Sequence, residues 1–322
     1  MRYKFNITGW GYYLPPTIET NEELSKKINK TPRWVVSRTG VNSRRISSID
    51  VDEMGAIASQ MAIGNKKEPD LIINASGVPK QTIPDTSVFI QKELGYKGIP
   101  SFSIHATCLS FIVALNVAGS LIESKAYSNI LIVSSDRGTV GRNFSEPESA
   151  SLLGDAAAAI YIESSEDSKQ GLIDFEMSSW PEGTDLTEVK GGGTNLHPQD
   201  KKTTNQDNLF SMKGPKVFKL SIPKVHSMIL NLLDRNNLNK SNIDFVIPHQ
   251  ASGRAVDAYS KYGGFEAKKI MNIVSNTGNC VSASLPLALS LAYESKLIRK
   301  DSIVLLVGTG AGLSIASSIV RL

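Results

Sequence analysis

The sequence predicts an α/β fold built from two similar layered halves, and two observations carry that prediction. Short apolar stretches typical of buried strands alternate along the chain with longer stretches typical of helices. A unit of the first half, in which a turn with Cys108 leads into an apolar helix, the letters ESK and a strand at 130–133, returns in the second half around Asn279. The repeat predicts halves at 1–170 and 171–322, with parallel strands joined by right-handed crossovers.

The first half opens with alternating residues at 3–8, which predict a strand, and Gly9 and Gly11 predict its end in a loop. Thr20 and Glu23 form a capping box for a helix, and the next Thr-Pro pair predicts the start of a second helix. The further elements predicted in this half are helices at 52–63 and 86–94 and strands at 71–74, 102–104, 130–133 and within 154–164.

The second half follows a polar stretch at 183–208, which is dense in Gly, Thr, Asn, Asp and Lys and predicts a long surface excursion. The elements predicted after it are helices at 214–238 and 285–298 and strands at 245–247, 271–274 and 303–307. In layered α/β folds the functional site lies beyond the carboxyl ends of the strands. We therefore expect one cleft between the halves to collect Cys108, His249 and Asn279, which all follow short apolar strands.

The composition, with 41% hydrophobic and 20% charged residues in 322, is typical of a soluble globular enzyme. A net charge of +4 is too small to indicate nucleic-acid binding, although it suits docking of an acidic protein. The two cysteines give no disulfide framework, no Cys/His spacing indicates a metal site, and no apolar run approaches the ~18 residues that span a bilayer. We expect a cytoplasmic protein that binds neither metal, nucleic acid nor membrane.

Cys108 lies where a predicted strand turns into the apolar helix. The first turn of a helix has unpaired backbone N–H groups and about half a positive charge, which favours thiolate over thiol. The pKa of such a cysteine typically falls from ~8.5 toward ~4–7.5, so the sulfur attacks carbonyl carbons at neutral pH. The alternative is a small apolar side chain in the core, because free cysteine is among the most buried residue types.

A cysteine with a histidine and an asparagine from different strand ends suits acyl transfer, in which the thiolate attacks and the other two side chains stabilise charge or move protons. From the pattern alone, His249 also fits a hydrogen-bonded core histidine, and Asn279 beside Gly278 fits a turn residue. Trp34 and Arg38, one helical turn apart, fit either a grip on a nucleotide or phosphate, or a core tryptophan with an ion-paired arginine.

Several segments, in order along nearly the whole chain, resemble the β-ketoacyl-acyl carrier protein synthase III family of the thiolase superfamily. They are HATCLSFIVAL, VIPHQAS, NTGNCVSASLPLAL and GTGAGLSIASSIVRL, with further matches in GWGYYLPPTIETNEEL, WVVSRTGV, LLGDAAAA and MKGPKVFKL. The resemblance implies a thiolase-like fold of duplicated αβαβα halves, a homodimer, and a transferase of fatty acid or polyketide biosynthesis. It implies no permanently bound cofactor, acyl-coenzyme A and malonyl-acyl carrier protein or malonyl-coenzyme A as substrates, and acyl carrier protein as a partner.

The resemblance also implies roles for single residues. Cys108 matches the acyl-accepting nucleophile, His249 the histidine of the PHQA motif and Asn279 the asparagine of the GN motif. An acyl group would pass to Cys108, and a malonyl thioester would lose carbon dioxide so that its carbanion attacks the Cys108 thioester. His249 and Asn279 would donate hydrogen bonds to the enolate oxygen, while the backbone N–H groups of Cys108 and Ala311 would hold the thioester oxyanion.

Five further residues match binding residues of similar enzymes. Trp34 and Arg38 match residues near the coenzyme A adenine. Lys219, Arg254 and Lys261 match a basic patch for the acidic carrier protein, and the alternative for these three is an ordinary solvated surface.

Other positions depart from the family pattern. Leu109 and Ser110 follow the nucleophile where the family usually has small residues, and Ile83 stands for the aromatic residue that caps a short acyl pocket. Pro147 and Pro215 replace polar residues near the adenine and the pantetheine. These departures lead us to expect a specialised member of the family, with room for longer or branched acyl groups.

Two alternative functions remain open from the sequence. One is an acyltransferase of the same fold that passes the acyl group from Cys108 to an oxygen or nitrogen nucleophile, and the other is a non-catalytic subunit that binds partners. His105, His197 and His226 match no catalytic motif, so we expect them to be structural or surface groups.

Overall fold

The computed structural model describes residues 3–167 and 169–322. Its strands are β1 (Tyr3–Tyr13), β2 (Thr17–Thr20), β3 (Ser43–Ile46), β4 (Leu71–Asn74), β5 (Ser101–Ser103), β6 (Asn129–Arg137), β7 (Asp155–Ser164), β8 (Gly171–Ser179), β9 (Thr187–Glu188), β10 (Ser211–Met212), β11 (Phe245–Pro248), β12 (Ile303–Gly310) and β13 (Ser314–Arg321). Its α-helices are α1 (Asn21–Ile28), α2 (Pro32–Thr39), α3 (Val51–Ile63), α4 (Thr86–Glu93), α5 (Ser110–Glu123), α6 (Pro147–Ala150), α7 (Gly214–Asp234), α8 (Gly253–Lys261), α9 (Val274–Thr277) and α10 (Ser284–Glu294).

The molecule has five layers, in which helices and sheet alternate. Nine strands follow one another in the order β11-β12-β13-β8-β1-β7-β6-β4-β5, and the strand pairs Tyr3–Leu172 and Lys4–Gly171 join the two halves of this sheet. Apolar side chains of α5 and α10 form the central core with both halves, while α3 and α4 cover the outer face of one half and α7 and α8 that of the other. The predicted duplicated αβαβα architecture is confirmed.

The sheet is mixed rather than parallel throughout. β4 runs parallel to β5 and β6, and β11 runs parallel to β12, as predicted. β7 is antiparallel to β1 and β6, and β13 is antiparallel to β8 and β12. The short link 311–313 between β12 and β13 explains this difference, because a parallel neighbour needs a crossover of a dozen or more residues.

Two glycines lie inside β1, where the sequence predicts a loop. A Cβ atom on Gly9 would lie 2.0 Å from the carbonyl oxygen of Ala62, and one on Gly11 would lie 2.2 Å from that of Ala58. The glycines therefore let the backbone of α3 contact β1 directly, and the strand continues to Tyr13.

Helix starts match the sequence closely. Thr20 and Glu23 form both hydrogen bonds of the predicted capping box, and the side chain of Thr31 accepts a hydrogen bond from the N–H of Trp34 at the start of α2. The predicted strand at 271–274 is wrong, because Ile270 makes an isolated bridge to Val246 and the chain then turns into α9. The stretch 183–208 lies mostly at the surface, as predicted.

The predicted division into units at 1–170 and 171–322 stays a prediction. The strand β8, which begins at the predicted boundary, pairs along most of its length with β13.

Candidate active site

Cys108 lies in a 3-10 turn, Thr107–Leu109, that directly precedes α5. Thr107 has a φ of 53°, and the hydroxyl of Ser110 accepts a hydrogen bond from the N–H of Ala106 (3.0 Å) and donates one to the carbonyl of Thr107 (2.7 Å). This local network fixes the half-buried Cys108 at the N-terminal end of α5.

The protonation state of Cys108 differs from the one that the sequence predicts. Burial and, to a smaller extent, the nearby carboxylate of Asp136 raise the pKa of Cys108 to about 12. The predicted lowering of the pKa is therefore wrong for the free protein. The free-energy cost of removing a thiolate from water exceeds the electrostatic stabilisation of the thiolate by the N-terminal end of the helix. Cys108 is a thiol at neutral pH, so its attack on a carbonyl carbon requires a group that takes the proton.

Asp136, at the end of β6, is a central residue of the site that sequence reasoning missed. Its Oδ1 accepts hydrogen bonds from the N–H groups of Gly77 (2.9 Å) and Val78 (3.0 Å), and its Oδ2 accepts one from Ala283 (3.1 Å). Burial raises the pKa of Asp136 to about 7. Asp136 thus ties loops of both halves together, and an acidic residue within the apolar stretch ILIVSSD was the available signal.

His249 follows β11, and its backbone N–H donates a hydrogen bond to the carbonyl of Val307 (2.8 Å). The residue is 4% exposed, and burial lowers its pKa to about 4. The imidazole is therefore neutral at pH 7. Its Nδ1 is buried and has no hydrogen-bond partner in the described part of the chain.

Asn279 lies between α9 and a second 3-10 turn, Val281–Ala283. Its backbone N–H donates to the carbonyl of Leu152 (2.7 Å), and its Oδ1 accepts a hydrogen bond from the N–H of Val281 (2.9 Å). Its Nδ2 makes a long contact of 3.4 Å with the carbonyl of Ala251, two residues after His249. These bonds hold the amide beside the His249 loop and leave its Nδ2 with donor capacity.

Glycines in β12 show how closely these segments approach. A Cβ atom on Gly308 would lie 2.9 Å from Cβ of His249 and 3.1 Å from Cδ2 of Leu109, the neighbour of Cys108. The structure therefore brings the Cys108 turn and His249 to the same point of the sheet. The side chain of Asn279 lies next to the same point, because its Nδ2 contacts the carbonyl of Ala251 in the loop that follows His249.

The segment before Ala311 contacts the same turn. A Cβ atom on Gly310 would lie 2.6 Å from Oγ1 of Thr107 and 3.4 Å from the carbonyl oxygen of Ala106. The predicted second oxyanion residue, Ala311, thus follows directly a residue that packs on the Cys108 turn.

A cleft connects this point with the surface, and its lining includes Arg38, Glu148, Pro215, Phe218, Arg254 and Thr309. A second cavity adjoins it, shares Phe218, Ala255 and Thr309 with it, and reaches His249. The two form a continuous path from Arg38 to His249. Arg38 is exposed, and its guanidinium lies 5.9 Å from the centre of the Trp34 ring.

The three basic residues predicted to form one patch are exposed but do not share a cavity. Arg254 lines the cleft, and its Nη2 donates a hydrogen bond to the carbonyl of Ser37 (2.8 Å). Lys219 lines a separate surface pocket beside Trp180, and Lys261 lies at the end of α8 with its Nζ 5.4 Å from the Tyr262 ring.

Ile83 and His226 lie elsewhere than we expected. The side chain of Ile83 is 80% exposed on the loop before α4, so within one chain it does not line the cleft or the adjoining cavity. His226, expected to be a structural or surface group, lines the cavity that reaches His249. Alignment to a motif cannot show which way a loop or helix face points.

Residues 3–167 and 169–322 contain no cluster of three or more His, Cys, Asp or Glu side chains with the arrangement needed to hold a metal ion. In the same residues, every helix is too short or too polar to cross a membrane.

Two family models match the chain. Residues 102–181 match 3-oxoacyl-[acyl-carrier-protein] synthase III, and residues 233–322 match the C-terminal model of the same enzyme. The β-ketoacyl-[acyl-carrier-protein] synthase III of Rickettsia bellii is 33% identical over 323 residues, which cover 98% of each chain. The enzyme of the same name from Clostridioides difficile is 30% identical and covers 100% of this chain and 99% of its own.

Solved structures agree. The 3-oxoacyl-[acyl-carrier-protein] synthase III of Aquifex aeolicus has a TM-score of 0.90 and 27% identity over 99% of this chain and 100% of its own. The priming β-ketosynthase of the R1128 polyketide pathway has a TM-score of 0.91 and 26% identity over 100% of this chain and 97% of its own. Relatives of this identity and coverage show that the chain belongs to the β-ketoacyl-[acyl-carrier-protein] synthase III family and is a condensing enzyme.

Proposed function

We propose that the protein joins an acyl group held on Cys108 to a malonyl-type thioester by decarboxylative Claisen condensation. One observation carries the proposal, which is that the Cys108 turn and the Asn279 side chain lie beside His249, and that His249 lines the cavity that continues the cleft from Arg38.

In the first half-reaction, the sulfur of Cys108 attacks the carbonyl carbon of an acyl thioester. The neutral imidazole of His249 has a ring nitrogen that can take the thiol proton, which matters because the pKa of Cys108 is raised. The backbone N–H groups of Cys108 and Ala311 stabilise the oxyanion. The carrier sulfur then leaves as a thiol, with the proton that His249 had taken from Cys108.

In the second half-reaction, the bond between the α-carbon and the carboxylate of a malonyl thioester breaks, and carbon dioxide leaves. The electron pair forms an enolate, whose oxygen accepts hydrogen bonds from His249 and from Nδ2 of Asn279. Each donor of this kind contributes about 2.7–4 kcal/mol of transition-state stabilisation. The α-carbon then attacks the carbonyl carbon of the Cys108 thioester, the carbon–sulfur bond breaks, and the Cys108 thiolate takes up a proton from solvent to become the free thiol.

The substrates and partners follow from the same cleft. Arg38 over Trp34 is placed to hold the nucleotide end of coenzyme A, and Arg254 provides positive charge at the cleft for an acidic carrier protein. We assign acyl-coenzyme A as donor and malonyl-acyl carrier protein or malonyl-coenzyme A as extender, with no permanent cofactor. Lys219 and Lys261 extend the basic surface outside the cleft.

We also propose a homodimer. The family resemblance implies it, and the apolar side chain of Ile83, which is 80% exposed on a loop, is accessible to a second subunit. In that arrangement Ile83 limits the acyl pocket of the partner, as the family resemblance implies.

The alternative in which Cys108 passes its acyl group to oxygen or nitrogen loses part of its support. Its motives are Leu109 and Ser110 beside Cys108, and Pro147 and Pro215 at the coenzyme A positions. Leu109 and Ser110 are fully buried, and Ser110 holds the turn, so neither side chain faces the substrate. Nδ2 of Asn279 keeps donor capacity for an enolate oxygen. This favours a decarboxylating enzyme, because simple acyl transfer does not need such a donor.

The test combines intact-protein mass and carbon dioxide release. After incubation with acyl-coenzyme A thioesters from acetyl to medium chain, the wild type should gain one acyl mass and the Cys108→Ala variant none. The acylated protein should then release carbon dioxide from malonyl thioesters and form a β-ketoacyl product. Acylation without carbon dioxide release would instead establish the alternative acyltransferase.

A further inference from the structure

The cavity beside His249 differs in character from the cleft that leads to it. It lies between α7 and α8, and its walls include Phe218, Ile222, Val225, Ala258, Tyr259 and Tyr262. In the described part of the chain, its lining contains no Asp, Glu, Lys or Arg, whereas the adjoining cleft contains Arg38, Glu148 and Arg254. A polar carrier arm has no charged partners in this cavity, while an alkyl group finds apolar walls.

The position of the cavity indicates which substrate would use it. His249 and Thr309 line it, but Cys108 does not. In the proposed reaction, His249 contacts the enolate oxygen of the second thioester, so the α-carbon of that thioester lies next to the opening. A substituent on this α-carbon would therefore enter the cavity, and the chain carried by Cys108 would not.

Small residues create the space at this point. Ala255, Ala258 and Gly263 of α8 and the turn after it face the larger side chains of α7, and Thr309 stands where β12 reaches the opening. Tyr262 lies at the solvent side and is 47% exposed. The cavity thus extends from His249 toward the surface, and it is larger than a single methyl group.

We propose that this cavity binds an alkyl substituent on the α-carbon of the malonyl-type extender, so that the enzyme accepts alkylmalonyl thioesters and makes α-branched β-ketoacyl products. The proposal rests on the function proposed above. The chemistry is otherwise unchanged: the bond to the carboxylate breaks and carbon dioxide leaves. The substituted α-carbon then bonds to the acyl carbon held on Cys108, the bond between that carbon and the Cys108 sulfur breaks, and the thiolate takes up a proton from solvent.

The experiment loads wild-type protein with its best acyl donor and offers malonyl-, methylmalonyl-, ethylmalonyl- and butylmalonyl-coenzyme A, with product mass as readout. We expect ethyl- and butylmalonyl to give α-branched products. Ala258→Leu and Ala258→Phe fill the cavity, and each should lower the ratio of kcat/KM for butylmalonyl to that for malonyl about 10- to 100-fold. The control Asp257→Phe changes an exposed residue of the same helix that does not line the cavity, and should leave this ratio unchanged.

The outcomes separate this proposal from the one on which it rests. If wild type condenses malonyl but none of the alkylmalonyl thioesters, the cavity is not an extender site and the condensing function stands. An unchanged ratio in folded Ala258→Leu, with folding checked by circular dichroism, would overturn the proposal as well. If no thioester is condensed although Cys108 is acylated, the proposed function itself fails.

Discussion

Two 3-10 turns of closely similar geometry lie at the site, one in each half of the chain. Thr107, which opens the first, has a φ of 53°, and Val281, which opens the second, has a φ of 50°. In both, the hydroxyl of a serine at the start of the next helix accepts a hydrogen bond from the N–H of the residue before the turn, at 3.0 Å for Ser110 and 2.9 Å for Ser284. The duplication has therefore preserved the backbone of the turn.

The middle residues of the turns differ, and this difference separates scaffold from chemistry. Ser282 is fully buried, and its hydroxyl donates a hydrogen bond to the carbonyl of Ala75 (2.6 Å). Cys108 occupies the equivalent position, is half-buried, and adjoins the segment that packs on Gly308 beside His249. The repeat therefore supplies a rigid turn, and the surroundings of the turn decide whether its middle side chain holds the fold or reacts.

The largest expected effect comes from exchanging these middle residues for alanine. Cys108→Ala should remove acyl loading completely, a loss of at least about 1,000-fold, with little change in melting temperature. Ser282→Ala should retain loading but lower the melting temperature by roughly 2–6 °C, because a buried carbonyl loses its partner. Intact-protein mass and thermal unfolding measure both. Equal loss of loading in the two variants would contradict the division into reactive and structural turns.

Asn279 precedes the second turn by two residues, and its replacement tests the second half-reaction. Asn279→Ala should slow decarboxylative condensation about 100- to 1,000-fold while acylation of Cys108 stays near wild type, because one donor to the enolate oxygen is lost. Stopped assays of carbon dioxide release and of acyl mass separate the two rates. Asn276→Ala, an exposed asparagine on α9, is the matched control. Acylation that falls as steeply as condensation would refute the assignment of Asn279 to the enolate.

The pH dependence of Cys108 alkylation tests the protonation state of the reactive turn. Since the pKa of Cys108 is about 12, the thiolate fraction should rise about tenfold for each unit of pH between pH 7 and pH 10. The rate constant for alkylation by iodoacetamide should rise with the same slope and without a plateau. Cys108→Ala reports any background from the buried Cys280. A plateau below pH 9 would restore the original expectation of a thiolate stabilised by the helix end.

Asp136 is bonded to the second turn and lies close to the first, and its replacement should have the smallest effect on rate. Asp136→Asn removes a negative charge that raises the pKa of Cys108, so alkylation at pH 8 should become a few-fold faster. The amide also turns a donor toward backbone N–H groups, which should cost about 1–3 kcal/mol of stability. Asp257→Asn, on an exposed helix surface, is the control. Slower alkylation would show that the carboxylate does not oppose the thiolate.

Local signals in the sequence predicted much of the fold, because they act over a few residues. The capping box at Thr20 and Glu23 forms as expected, and the apolar repeat identified the duplicated halves. The loop predicted at Gly9 and Gly11 was wrong, because these residues have no side chain and so let the backbone of α3 contact β1. The helix α3 lies about 50 residues later in the sequence, beyond the reach of a local signal. The strand at 271–274 failed because its residues find no neighbouring strand to continue the bridge made by Ile270.

The site was predicted in part for the same reason. The motifs around Cys108, His249 and Asn279 are local, and the structure brings those segments together. The pKa of Cys108 depends on burial and on Asp136, which only the folded chain supplies. The cavity between α7 and α8 likewise depends on how the surfaces of the two helices pack, so no single stretch of sequence predicts it.

The bonds made by Asp136 bear on the order in which the site matures during synthesis. Two of its N–H donors, Gly77 and Val78, precede it in the chain, but the third, Ala283, follows it by 147 residues. A nascent chain that lacks the segment with Ala283 cannot complete the hydrogen bonds of the Asp136 carboxylate near Cys108. The surroundings that set the protonation state of Cys108 therefore form only after that later segment has been synthesised and has packed against the first half.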